Sequence, residues 1–210
     1  DCPYPFKGIC GGMVAFKVIC GLYDRLGISV KETEKLLPFA AIATVGDVMD
    51  LTDENRILVR EGLRRLQNPE NEGLKALIRV NNLENREITA YHIGFVIGPC
   101  MNASGRLSTA KRALRLLLSE DTGEAAVLAE DLKALNDSRK DMTAKGVEQA
   151  VEQVEHTELL QDRVLVIYLP DCHESLAGII AGRIRERYTR PAFVLTKGTE
   201  GVKGSGRSIE

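Results

Sequence analysis

From about Gly123 to Glu155 the sequence reads as one helix, with Leu128, Leu132, Leu135 and Met142 spaced by four, three and seven among charged residues. At about 1.5 Å per residue such an element spans tens of Å. With Gly146 as its one interruption, it reads as a connector between two lobes. A chain built round such a rod has to place its cores on either side of it.

Beyond the rod, strand and helix patterns alternate. Arg163–Leu169 (RVLVIYL) and Pro191–Thr196 (PAFVLT) are apolar, β-rich runs of strand length. Between them Ser175–Tyr188 carries Ile179, Ile180, Ile184 and Tyr188 on one helical face, giving a strand–helix–strand unit of the parallel type. The region before the rod is largely helical. Residues 11–27 suggest a buried helix with Val14, Val18, Cys20, Leu22 and Leu26 on its apolar positions, closing at Gly27. Residues 33–46 suggest a second, with Pro38 in the first turn if the helix begins near Leu36 or Leu37. Thr52-Asp53-Glu54 marks a third start and Asn68-Pro69 its stop. Another helix covers Thr89–Val96 and is expected to break at Gly98-Pro99, with turn chemistry at 102–106 leading into a helix over 108–118. The fold class expected is α/β.

The 210 residues are 44% hydrophobic and 28% charged, the composition of a globular chain. A net charge of −2 excludes bulk capture of a polyanion, but the charge is uneven. Residues 119–162 hold 12 acidic against 4 basic side chains, and residues 163–210 hold 8 basic against 5 acidic. Only a local surface near the end of the sequence would attract nucleic acid. Five cysteines with no CxxC spacing fit free thiols in a reducing compartment. No stretch is long and apolar enough for a membrane span, so a cytoplasmic protein without membrane contact is expected.

Four segments carry candidate chemistry. In Thr44-Val45-Gly46-Asp47-Val48-Met49-Asp50, two carboxylates three apart at the end of an apolar segment either ligate a hard cation such as Mg²⁺ or Mn²⁺ or simply cap and solvate a turn. Gly98–Arg106 (GPCMNASGR) offers backbone N–H groups and Arg106 to a phosphate, or is an ordinary turn between helices. His173 comes after a strand end, where open sheets place ligand groups, and equally suits a helix N-cap. Lys203-Gly204-Ser205-Gly206-Arg207-Ser208 reads as a loop that would grip an anion, with a flexible surface turn as its competitor.

Taken in order, Asp1–Lys7 (DCPYPFK), Thr44–Val48, Gly98–Arg106, His173–Arg183 (HESLAGIIAGR) and Gly204–Ser208 resemble the RecJ family of single-stranded-DNA-specific exonucleases, within the DHH/DHHA1 phosphoesterases. The resemblance runs over essentially the whole chain. It implies the C-terminal part of a DHH domain at 1–120, a connecting helix at 121–156 and the N-terminal part of an incomplete DHHA1 domain at 157–210. It further implies a fragment of a metal-dependent nuclease that removes nucleotides from the 5′ end of single-stranded DNA, in repair and recombination. Asp47 matches a metal-ligand aspartate of the catalytic centre. Ser205, Gly206 and Arg207, with His173 and Arg106, match positions that hold the nucleic-acid phosphate.

The chain departs from the family pattern. Its Asp-x-Asp and Asp-His-His motifs are absent, Cys100 stands where an arginine is usual, and no oligonucleotide-binding domain comes after the last motif. One aspartate cannot hold two catalytic metals, so the expectation is a fragment of a longer protein that by itself binds Mn²⁺ or Mg²⁺ poorly and cleaves nothing. Two other readings share these residues. One is a DHH/DHHA1 phosphodiesterase for short oligonucleotides or cyclic dinucleotides, which usually carries a Gly-Gly-Gly-His loop. The other is a non-catalytic DNA-binding replication scaffold.

Overall fold

The computed structural model describes residues 3–107, 110–199 and 201–209, with the side chains of 106 and 107 outside the described set. The protein is mixed α/β, mostly helical with one small sheet, and divides into two compact units, Asp1–Ala134 and Leu135–Glu210.

The first unit is built of helices α1 (Gly11–Arg25), α2 (Lys31–Glu34), α3 (Leu37–Gly46), α4 (Asp53–Leu66), α5 (Glu72–Val80), α6 (Ala90–His92), α7 (Gly98–Leu107) and α8 (Lys111–Leu118). α3 is apolar nearly all round and buried, and Pro38 sits in its first turn, where the missing N–H costs nothing. Its neighbours approach through glycines. A Cβ at Gly62 of α4 would lie 2.5 Å from Ala41 Cβ and from the Leu37 carbonyl, and one at Gly12 of α1 would lie 2.5 Å from Ala43 Cβ. Met13 and Phe16 of α1 pack with Cys10, Leu37 and Ala40.

α1 corrects the sequence reading. Val14, Val18, Leu22 and Leu26, expected in the core, are exposed, and the buried face is the one with Met13 and Phe16. The small residues Gly12 and Ala43 let α3 take that second face, leaving the aliphatic stripe outside.

A second correction concerns Gly98-Pro99, which does not break the chain. α6 continues through a π-helical turn, Ile93–Ile97, directly into α7, and residues 102–106 are helix rather than turn. Pro99 has no N–H to donate into an α-helical ladder, and one wider turn accommodates the loss. The Gly98 N–H donates to the Ile93 carbonyl across that turn, and a Cβ on Gly98 would sit 2.8 Å from the same oxygen.

α9 (Thr122–Glu155) is a single helix of 34 residues. In the second unit its Ala150 and Val154 pack with β1 (Leu165–Tyr168), α10 (Glu174–Tyr188) and β2 (Ala192–Gly198). Gly146 does not interrupt α9. It is the point where Ile180 of α10 comes close, since a Cβ there would lie 2.5 Å from Ile180 Cδ1.

β1 and β2 are parallel in the register Leu165 with Ala192, as a strand–helix–strand crossover requires. β3 (Gly201–Arg207) is the third correction, a strand where a loop was expected. It pairs antiparallel with β2, Phe193 opposite Gly206, Leu195 opposite Gly204 and Val194 opposite Ser205. The two glycines lie under the Phe193 ring and the Leu195 side chain on the outer face. Alternation therefore turns Lys203, Ser205 and Arg207 to the face that carries α10.

Candidate functional site

Asp47 caps the C-terminus of α3, where the last carbonyls are satisfied by a Schellman turn: Val48 N–H donates to Val45 O and Met49 N–H to Thr44 O, both at 3.1 Å. The turn needs a left-handed residue, and that residue is Val48, with φ 54° and 87% exposure. A β-branched residue held there carries roughly 1–2 kcal/mol of local strain. Asn55, fully buried on α4, pins the chain beyond the turn by donating to Asp50 O at 2.9 Å and to Gly8 O at 2.6 Å. The Asp47 carboxylate is left exposed at the end of a rigid apolar helix.

A cleft of about 270 Å³ opens there, lined by Asp47, Gly46 and Ile42 of the α3 segment and by Gly98, Met101 and Asn102 of α7. Two motifs some fifty residues apart thus share one cavity. The π turn matters to this meeting, because it sets the phase in which α7 leaves Gly98. Arg106 lies on α7, and its side chain is outside the described residues. Cys100 is fully buried, its thiol donating to Asn81 Oδ1 at 3.7 Å, and is not part of the cleft lining.

One exposed carboxylate does not by itself make a divalent-cation site, which needs six or more oxygen ligands in a defined shell. Among the described residues no group of three or more His, Cys, Asp or Glu side chains comes together.

In the second unit the structure brings the other two motifs together. Gly178, one turn into α10, faces β3: a Cβ at that position would lie 2.9 Å from both Arg207 Nη2 and Ser205 Oγ. Arg207 Nη1 donates to Ser205 Oγ at 3.0 Å and to Gly206 O at 2.7 Å. Lys203 Nζ pairs with Glu174 at 2.8 Å, and the hydrogen bond and charge of Lys203 hold the Glu174 carboxyl below its ordinary range. His173 is the N-cap of α10, its Nδ1 3.3 Å from the Ser175 N–H and 2.8 Å from the Ser175 hydroxyl.

An arginine, a lysine, two serine hydroxyls and a helix N-terminus on one surface can bind a phosphate oxygen through charge-assisted donors. Gly206 contributes differently from expectation: its backbone belongs to the sheet and its missing side chain makes room for Phe193. Gly178 was not singled out in the sequence. It lies inside the His173–Arg183 motif, where its signal is a small residue one helical turn after Glu174.

No family model matches the chain. It is 36% identical, over 223 residues and its whole length, to the single-stranded-DNA-specific exonuclease RecJ of Dickeya dadantii. The chain spans 39% of the length of that relative. Its fold is similar to RecJ of Thermus thermophilus in complex with Mg²⁺, with TM-score 0.85 and 32% identity over 99% of this chain and 31% of that one. It is equally similar to an exonuclease RecJ bound to manganese, with TM-score 0.85 and 32% identity over 99% of this chain and 51% of that one. No helix among the described residues is long and apolar enough to cross a membrane.

Proposed function

The chain is RecJ-like over its whole length, and from that premise we propose that it is part of a metal-dependent 5′-to-3′ single-stranded-DNA exonuclease that hydrolyses phosphodiester bonds in cytoplasmic DNA repair and recombination. In this reading residues 1–120 belong to a DHH domain, 121–156 are a connecting helix and 157–210 open a DHHA1 domain. The observation that carries it is the placement of Gly178 against Ser205 and Arg207, which joins motifs nearly thirty residues apart on one surface.

What these residues do is bind. Arg207 exchanges its hydrogen bond to Ser205 for a phosphate oxygen, and the freed Ser205 hydroxyl donates to the same group. Gly178 makes room for these two side chains, since a Cβ there would lie 2.9 Å from both Arg207 Nη2 and Ser205 Oγ. His173 orders the first turn of α10, whose positive end faces the anion. Asp47 would supply one oxygen ligand to the metal of such an enzyme, and the chain spans 39% of the length of its relative. Mg²⁺ or Mn²⁺ is the metal expected, because RecJ structures are solved with either. Alone, the chain is expected to be inactive.

The test is binding of a 5′-phosphorylated oligothymidylate, followed by fluorescence anisotropy across a salt series. Arg207→Ala is expected to weaken binding about tenfold or more, as loss of a charge-assisted hydrogen bond does, and to lower the salt slope by about 0.7, the share of one phosphate contact on a single strand. Unchanged affinity and slope would return Arg207 to a structural role. With Mn²⁺ added, release of mononucleotides by this chain should be absent, and turnover would show that its own residues complete the metal site.

A further inference from the structure

The chain has no tryptophan and only ten other aromatic residues, five Tyr and five Phe. Two of them stand side by side on the surface. Tyr91 and Phe95, on α6 and the π turn, are 63% and 68% exposed, and their rings stack at 4.9 Å between centroids and 29° between planes. Stacking on each other hides little of either ring, so the pair presents a wide apolar surface to water.

The pair is also braced. His92 meets the Tyr91 ring edge-on at 5.7 Å and 87°, and its own Nδ1 accepts the Thr89 backbone N–H at 3.1 Å. A core-packing explanation fails for these rings, because the same helix turns Ile93 and Ile97 inward and both are fully buried.

We infer that Tyr91 and Phe95 form a stacking platform for the bases of single-stranded nucleic acid, next to the Asp47 cleft. The inference rests on the exonuclease reading for its ligand and on three observations for its place. The exposed stripe that begins at Tyr91 and Phe95 continues past half-buried Pro99 to exposed Asn102. Asn102 lines the cleft with Asp47. Eleven residues separate Tyr91 from Asn102, roughly 16 Å along the helix axis, which a short run of nucleotides can bridge.

Thr89, two residues before Tyr91, also lines a groove of about 390 Å³ with Arg60, Arg64 and Glu87. Arg60 and Arg64 share Glu61 in exposed ion pairs, which are weak and exchange readily for a phosphate. An exposed aromatic face with a basic groove nearby in the fold can hold unstacked bases without regard to sequence, because every base has a π face.

The experiment compares a 5′-phosphorylated oligothymidylate with an abasic strand of equal length and charge, each titrated against the full chain. The wild-type chain is expected to bind the thymidylate more tightly than the abasic strand. The double substitution Tyr91→Ala with Phe95→Ala should lower thymidylate affinity by about 5- to 150-fold per base held, without changing the salt slope, and should leave abasic binding as it was. Tyr91→Phe, which keeps the ring, should bind as wild type.

Equal affinity of the double variant and the wild type for thymidylate would overturn the platform while leaving the exonuclease reading intact. Equal wild-type affinity for the two strands would do the same. A wild-type chain that binds neither strand would remove both. Photocrosslinking of the unsubstituted protein to 5-iododeoxyuridine gives a check independent of any variant: the adduct is expected at Tyr91 or Phe95, and adducts confined to other residues would overturn the assignment.

Discussion

The Glu174 carboxylate lies 2.8 Å from the Lys203 ammonium on the surface that also holds Ser205 and Arg207. The Lys203 hydrogen bond depresses its proton affinity. A carboxyl lowered in this way favours the folded state above the ordinary carboxylate pKa, about 4.3, and the contribution disappears as pH falls through the lowered folded value. An NMR titration should therefore place the Glu174 midpoint below that of an unperturbed glutamate, and Lys203→Met should return it. A midpoint unmoved by that substitution would mean the pair does not persist in solution. Val48 offers a second residue-scale measurement. Its left-handed backbone is imposed by the Schellman turn beside Asp47, so Val48→Gly should raise stability by about 1 kcal/mol, read as a higher midpoint in urea. Destabilisation would show that the valine has a packing role its exposure hides.

Among the elements, β3 shows how the form of a motif can be misread from its residue types. Lys203–Ser208 suggested a loop because Gly, Ser and Lys are the residues of turns. In the sheet they alternate, the glycines under Phe193 and Leu195 on one face and the polar side chains on the other. Period two cannot be seen when one face has no side chains to mark it. The two glycines differ in what surrounds them. A Cβ at Gly204 would lie 2.5 Å from the Val194 carbonyl oxygen, which is fixed in the ladder, while one at Gly206 meets only the edge of the Phe193 ring. Gly204→Ala should therefore cost about 1–3 kcal/mol and weaken strand binding by tilting Ser205 and Arg207, whereas Gly206→Ala should cost less and be relieved by Phe193→Leu. Equal costs, or no coupling in that double-mutant cycle, would show that the Phe193 ring does not seat on Gly206. α9 and α10 were legible from a helical period of 3.6, and β1 and β2 from apolar, β-rich runs of strand length. The π turn at Ile93–Ile97 was not, because Gly-Pro signals a break, and nothing in the local sequence shows that the helix passes through it.

At the scale of the whole molecule the same limit decides which apolar faces were misplaced. Val14, Val18, Leu22 and Leu26 repeat every four residues, and periodicity reports that such a stripe will be covered without saying by what. In the first unit it faces outward along α1, and in the second Val166, Tyr168 and Phe193 face outward across the sheet. Each is a contiguous patch of the kind that soluble monomers rarely leave open, on a chain that spans 39% of its relative. Two exposed patches on a molecule of net charge −2 have little electrostatic repulsion to keep copies apart. The chain should accordingly bind a hydrophobic dye while its far-ultraviolet circular dichroism remains that of the folded state. Its sedimentation coefficient should rise with concentration across the micromolar range. Val18→Glu with Leu22→Glu should reduce both effects with little loss of stability, since both side chains are already in water. Phe193→Lys should do the same for the second unit at the cost of its contact with Gly206. If both sets of substitutions leave dye binding and sedimentation unchanged, these faces do not drive association, and the α1 stripe has to be explained by something other than a surface that another polypeptide covers.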